Sequence, residues 1–328
     1  MRLATYERGG EWVAAVVVAD GLLVDAAAAA RHAGLDGGGA WGSVRGVLGQ
    51  PADRLGALAD GAEAVAAQAD PEVVLDPAST RLGPPVPDPQ KILCVGLNYR
   101  AHAAEASLDE PPVPLVFAKF PNVLIGSGAA IELPAGNGEH VDYEGEIAVV
   151  IGRVTRNVAP ESVAAHVAGY TIANDFGLHD FRDTDAGSML RVKGSDTLCP
   201  LGPGLVDDWQ AGGKRIRTLV NGQVRQDGST DEMVWGPHYL VADVARTITL
   251  LPGDVILTGT PANSRPVQPG DVVTVEVEGL GALSNRIVAG PVAVRDDVGA
   301  QPSESEEVVS TALGGEWEHR GVRPPRRG

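Results

Sequence analysis

Short apolar runs, broken every few residues by glycine and proline, dominate the chain from Lys91 to Ile287. Runs of this length, rich in β-branched residues and bounded by turn formers, predict strands more than helices. Asn221-Gly222 and Asp227-Gly228 read as turns between strands, and Pro252-Gly253-Asp254 and Pro269-Gly270-Asp271 as turns leading into further strands. Helical spacing is confined to segments near 100–105, 160–166 and 237–246. Upstream, Arg2–Tyr6 and Glu11–Val18 predict a hairpin around Gly9-Gly10, extended by Gly21–Val24. Mostly alanine-rich helical segments follow near 25–32, 41–48 and 52–69, before the stiff stretch GPPVPDP (83–89). The expected organisation is a small N-terminal α/β unit (1–85), a β-rich α+β domain (86–292) and a polar tail (293–328). The tail reads as disordered, with Val308–Leu313 able to form one or two helical turns and Trp317 as its lone large aromatic.

Within this pattern, VDYEGEIAVVIG (141–152) places Glu144 and Glu146 at the mouth of an apolar strand. Side chains two apart on a strand share a face, so the two carboxylates repel each other and are costly to desolvate. A hard divalent cation such as Mg²⁺ resolves both problems; a solvated strand end is the plainer alternative. GYTIAND (169–175) is a second apolar strand that ends in a carboxylate, Asp175. In KILCVGLNYRAHAAE (91–105) a strand, a turn and a helix start put His102 and Glu105 three apart, on one helix face. A carboxylate beside an imidazole can orient it as a general base; the alternative is a surface histidine.

Composition narrows the classes of partner. The chain has 328 residues and a formal net charge of -17, which argues against nucleic acid or an anionic membrane surface. The two cysteines, Cys94 and Cys199, read as buried thiols, in keeping with a reducing cytoplasm. No stretch approaches the roughly 20 apolar residues of a membrane span, and the start lacks a signal-peptide core. A cytoplasmic protein is expected. Gly212-Gly213-Lys214 lacks the spacing of a phosphate loop, and the seven histidines show no paired zinc spacing.

The stretches GLNYRAHAAE (96–105), DYEGEIAVVIG (142–152), GYTIANDF (169–176), LRVKGSDTLCPLGP (190–203), VNGQVRQDGST (220–230), LLPGDVILTGTP (250–261) and PGDVVTVEVEGLG (269–281) together resemble the fumarylacetoacetate hydrolase superfamily. The resemblance covers roughly 88–290 and implies a mixed, rolled β-sheet. It further implies Glu144, Glu146 and Asp175 as ligands of Mg²⁺ (or Mn²⁺), His102 and Glu105 as a water-activating dyad, and Lys193 as a cationic active-site group. Tyr99, Thr197, Gly259 and Thr260 would line the substrate site, and a homodimer is implied. The stretches 174–197, 217–233 and 281–288 are most similar to members that combine 5-carboxymethyl-2-hydroxymuconate isomerase and 5-oxopent-3-ene-1,2,5-tricarboxylate decarboxylase activities in aromatic catabolism; acylpyruvate and fumarylpyruvate hydrolases are the alternative.

Such a site stabilises the enolate of a 2-oxo acid, and isomerisation, decarboxylation and C–C hydrolysis all draw on that capacity. His179 stands where many members carry arginine, so Arg182 is a candidate to bind a distal carboxylate. Asn98 replaces a carboxylate of some relatives, which leaves three protein ligands, and Asp180, Asp183 and Asp185 read as a solvated lid. A non-catalytic metal-binding protein of the same fold is the alternative from another class. Retention of His102, Glu105 and Lys193 argues against it.

Overall fold

The computed structural model describes residues 1–106, 109–135 and 140–313 of the chain. The strand Gly145–Ile151 is buried at every position, as its uninterrupted apolar run requires of a strand covered on both faces. It pairs antiparallel with Val167–Asn174 on one side and with Val255–Leu257 on the other. Val255–Leu257 runs parallel to Ile92–Gly96, whose other neighbour is the edge strand Leu115–Lys119. In the other direction Val167–Asn174 pairs with Cys199–Val206.

This sheet does not stop at the proline-rich stretch. Arg2 and Leu3 pair with Val206 and Leu205, so the N-terminal hairpin Arg2–Arg8/Glu11–Val17 continues the sheet to eleven strands. One apolar cluster joins Val16, Leu58 and Trp41 of the N-terminal segment to Cys94, Ala148 and Leu257. The stretch 1–85 therefore shares both sheet and core with the β-rich region downstream of it, although it has its own helices, Ala26–His32, Val44–Leu48 and Ala52–Ala66. Asp25 caps the first of these, its Oδ1 accepting the Ala28 amide at 2.7 Å.

A second, five-stranded sheet has the order 223–229, 215–220, 272–277, 281–293, 130–135, its last pair parallel. The α+β, strand-rich class is thus the observed one, built from mixed sheets. Asn221-Gly222 makes the expected hairpin turn between paired strands, but Asp227-Gly228 does not: both residues lie inside the strand Gln223–Ser229. Asp227 is held there by a salt bridge to Arg215 on the neighbouring strand, and the chain turns only at the capped 3₁₀ turn Thr230–Glu232. The segment Pro160–His166 is likewise 3₁₀ rather than α.

In the described part of the C-terminal region, the helical turns that the sequence allows at Val308–Leu313 are present. Glu306–Leu313 is a helix with Val308, Val309 and Ala312 buried against the segment 179–185. Ser303 and Ser305 both donate to Asp183, at 2.6 and 2.9 Å. Two buried valines and these hydrogen bonds offset the ordering entropy that a purely polar tail could not. Trp317 lies outside the described residues. Among the described residues no helix is long and apolar enough to cross a membrane.

Candidate active site

Antiparallel register brings the acidic residues together. Gly145 pairs with Asn174, so the residue preceding one strand meets the residue following the other. The Asp175 amide donates to the Glu144 carbonyl at 2.9 Å, and the Asn174 side chain accepts the Glu144 amide at 2.8 Å. Glu144, Glu146 and Asp175 each offer an oxygen, and these oxygens all lie within 4.8 Å of one another. Glu146 and Asp175 are 1% and 0% exposed.

Two lysines face this cluster. Lys193 donates to Glu144 Oε2 at 2.6 Å and to the Asp175 carbonyl at 2.8 Å. Burial alone would depress its ammonium, but Asp175, Glu144 and Asp142 outweigh that and hold it above the ordinary lysine range. Lys119, at the end of the edge strand, donates to Asp175 Oδ1 and to the Phe176 carbonyl. Three ionised carboxylates against two ammonium groups would leave excess negative charge in a buried place. Burial, reinforced by Asp175 and Glu144, pushes the Glu146 carboxyl well above the usual carboxylate range, against the opposing hydrogen bond from the Gly259 amide at 2.6 Å and the charge of Lys193.

That amide explains the glycine. Gly259 has φ +93°, and a Cβ there would stand 2.7 Å from Asn98 Cβ. Gly259 thus acts on Glu146 and does not line the cavity. Asn98 is consumed structurally: its amide donates to the carbonyls of Trp235 and Thr258, and its oxygen accepts the Trp235 amide. Thr260 donates to the Gly145 carbonyl, and buried Gln226 ties together Gly145, Thr218, Thr260 and Pro261.

A cavity of about 800 Å³ opens onto these groups. Its walls include Glu144, Glu146, Lys193, His102, Glu105, His179, Arg182 and Thr260. His102 and Glu105 are on one helix face as expected, but their nearest approach, Nδ1 to Oε2, is 3.8 Å. Glu105 is instead taken by the guanidinium of Arg265 and the Asn263 amide. Burial would raise the Glu105 carboxyl, yet His102, the Asn263 amide and Arg265 together hold it at about 2.

Two further expected residues sit elsewhere. Tyr99 is fully buried and absent from the cavity wall. Thr197 is not among the cavity-lining residues, its hydroxyl accepting the Glu132 amide at 2.9 Å. His179 does line the cavity, but it is spent on Asp142 at 2.9 Å, which leaves Arg182 as the longer group on that wall. The acids expected as a solvated lid are engaged: Asp180 accepts the His140 amide, Asp185 caps the turn 190–194 through the amides of Arg191 and Val192, and Asp183 anchors the C-terminal serines. Lys119, Asp142, Gln226 and Arg265 were not anticipated. Of these only Lys119 carries a sequence signal, a charge ending the apolar run LVFAK (115–119), the form that marked Asp175.

The donor set suits a hard cation. All three groups are carboxylates, and buried Asp175 Oδ2 has no hydrogen-bond donor, Lys193 standing off at 3.5 Å. Asp142, Glu144 and His179 also approach one another, but Asp142 and His179 already satisfy each other.

Residues 91–288 match the family of the fumarylacetoacetate hydrolase C-terminal domain. The chain is similar to the 4-hydroxyphenylacetate degradation bifunctional isomerase/decarboxylase of Escherichia coli, 40% identical over 245 residues, which is 73% of this chain and 56% of that protein. It therefore spans little more than half the length of that relative. Among solved structures it is similar to 5-carboxymethyl-2-hydroxymuconate delta-isomerase of Mycobacterium smegmatis (33% identity, TM-score 0.68, 88% of this chain and 99% of that one). It is also similar to maleylpyruvate hydrolase of Sphingobium sp. in complex with manganese (II) ion and pyruvate (28% identity, TM-score 0.68, 88% of this chain and 100% of that one). The match covers most of the chain and every element that builds the cavity except the C-terminal helix: the chain belongs to the fumarylacetoacetate hydrolase family and is an enzyme of that superfamily.

Proposed function

We propose that this enzyme acts on enolisable 2-oxo di- or tricarboxylic acids, by isomerisation or decarboxylation, with Mg²⁺ or Mn²⁺ held by Glu144, Glu146 and Asp175. The observation that carries this reading is the buried, mutually repelling carboxylate cluster, two of whose members, Glu144 and Glu146, open onto the cavity. Bound there, the cation would supply Lewis-acid polarisation of the C2 carbonyl. Lys193 and Lys119 hold Asp175, and Lys193 also holds Glu144, so the acids are oriented before substrate arrives. His102 faces the cavity and is the candidate to move a proton at C3. Arg265 keeps Glu105 ionised beside it, which would stabilise the imidazolium formed. Arg182 offers a cation on the cavity wall for a second carboxylate. The similarity to an isomerase/decarboxylase and to a 5-carboxymethyl-2-hydroxymuconate delta-isomerase supports this order of readings.

Hydrolysis of an acylpyruvate is the second reading, favoured by the likeness to maleylpyruvate hydrolase. There His102 would activate water. A panel of 2-oxo acids with Mg²⁺, followed for CO₂, pyruvate and enol absorbance, separates them. Enol or CO₂ without C–C hydrolysis supports the first reading; pyruvate with a released acid supports the second.

A homodimer belongs to the same proposal. Leu115, Val116 and Phe120, on or beside the edge strand, are 46%, 41% and 46% exposed, an apolar strip suited to a second copy. Sedimentation at a mass near twice the chain's supports it, and a monomer contradicts it.

A further inference from the structure

The C-terminal helix Glu306–Leu313 lies beyond residue 288, where the family match ends, yet Ser310 and Thr311 line the same cavity as Glu144, Glu146, His102 and Lys193.

The helix is firmly placed. Ser303 and Ser305 donate to the two oxygens of Asp183, the Ser303 amide donates to the Asp180 carbonyl at 2.8 Å, and Ser305 Oγ accepts the Val308 amide at 3.2 Å as an N-cap. Val308 and Ala312 are 0% exposed. The segment it packs on, 179–185, carries His179 and Arg182, which are themselves cavity residues. Anchor and wall are therefore one unit: the helix packs on the segment that carries Arg182 and adds Ser310 and Thr311 to the lining of the same cavity.

We infer that this helix is a specificity element, with Ser310 and Thr311 joining Arg182 to form the wall that recognises the distal, acceptor-bearing end of the substrate. The substrate class this favours is a 2-oxo acid with a carboxylate several carbons from the reacting end. The inference rests on the metal reading of the carboxylate cluster, and it assigns a further part of the same cavity's wall.

Two full-chain variants and two probes test it. Oxalate is short and chelates at the metal; 2-oxoadipate carries a further carboxylate at its far end. In the magnesium-loaded protein, Ser310→Ala/Thr311→Val should weaken 2-oxoadipate relative to oxalate by on the order of tenfold, the loss of one or two hydrogen bonds to an anion. Val308→Asp, which places a charge at a buried position, should shift the ratio at least as far and expose the amides of 308–313 to hydrogen exchange. In the unmutated chain those amides should be protected. An unchanged ratio in both variants, or unprotected amides in the unmutated chain, overturns the inference while leaving oxalate binding intact. If neither probe binds the unmutated, magnesium-loaded chain, the metal reading itself fails and the inference falls with it.

Discussion

Lys119→Met is the most informative single change, because it removes a charge while keeping the side chain's length. The Lys119 side chain is 0% exposed and its ammonium is shared between Asp175 and the Phe176 carbonyl. Removing one partner of a buried ion pair typically costs about 3–5 kcal/mol, mostly the penalty of the charge left behind. Lys193 stands 3.5 Å from the other Asp175 oxygen and compensates in part, so the lower end, about 3 kcal/mol, is expected. Against a typical total of about 5–15 kcal/mol, that lowers a urea midpoint by a fifth or more. Measured in chelator, Asp175→Asn should rescue part of the loss, since it removes the stranded charge and relieves repulsion from Glu146. The double-mutant cycle should show coupling of at least about 1.5 kcal/mol. Added Mg²⁺ should restore stability to Lys119→Met more than to the Asp175→Asn variants. A loss below about 1 kcal/mol, or effects that add within about 0.5 kcal/mol, would refute the reasoning.

His102→Ala should retain Mg²⁺ affinity by calorimetry but lose about 10²–10⁴ in rate on any substrate that needs a proton moved; release of the metal would contradict its placement as a base. Gly145→Ala should lower the melting temperature, because its Cβ would stand 2.2 Å from Thr218 Oγ1 and overpacking of this kind costs about 1–3 kcal/mol; an unchanged melting temperature speaks against so tight a contact. Glu105 is held at about 2, below its ordinary value of 4.5, so its contribution to stability is complete above 4.5 and is lost as pH falls toward 2. Melting curves over that window should show Glu105→Gln losing less stability on acidification than the unmutated chain, and parallel curves would contradict this.

Much of the site was legible in the sequence because strands deliver residues in a fixed rhythm. Glu144, Glu146 and Asp175 meet because the apolar runs behind them pair antiparallel, and an apolar run with a charged end is visible in one dimension. The positions of Tyr99 and Thr197 were not legible: Tyr99 packs entirely inside, and Thr197 adopts φ +65° and turns its hydroxyl to the Glu132 amide. Arg265 was missed because it reaches Glu105 across 160 residues from an irregular loop that has no periodicity to read. The C-terminal helix is legible only as one or two helical turns at Val308–Leu313, because its buried face is only Val308, Val309 and Ala312, too few to stand out until the surface at 179–185 is present to receive them.

The central claim is that the carboxylate cluster holds a divalent cation that makes a 2-oxo acid enolise. Deuterium incorporation at C3 of a 2-oxo diacid in D₂O, followed by NMR, reads that step whatever the later reaction. The account predicts rapid exchange with Mg²⁺, and exchange reduced to the buffer rate by chelator or by Glu146→Gln, a change at a side chain 1% exposed that leaves the fold intact by circular dichroism. Exchange that persists in chelator and in folded Glu146→Gln would contradict it.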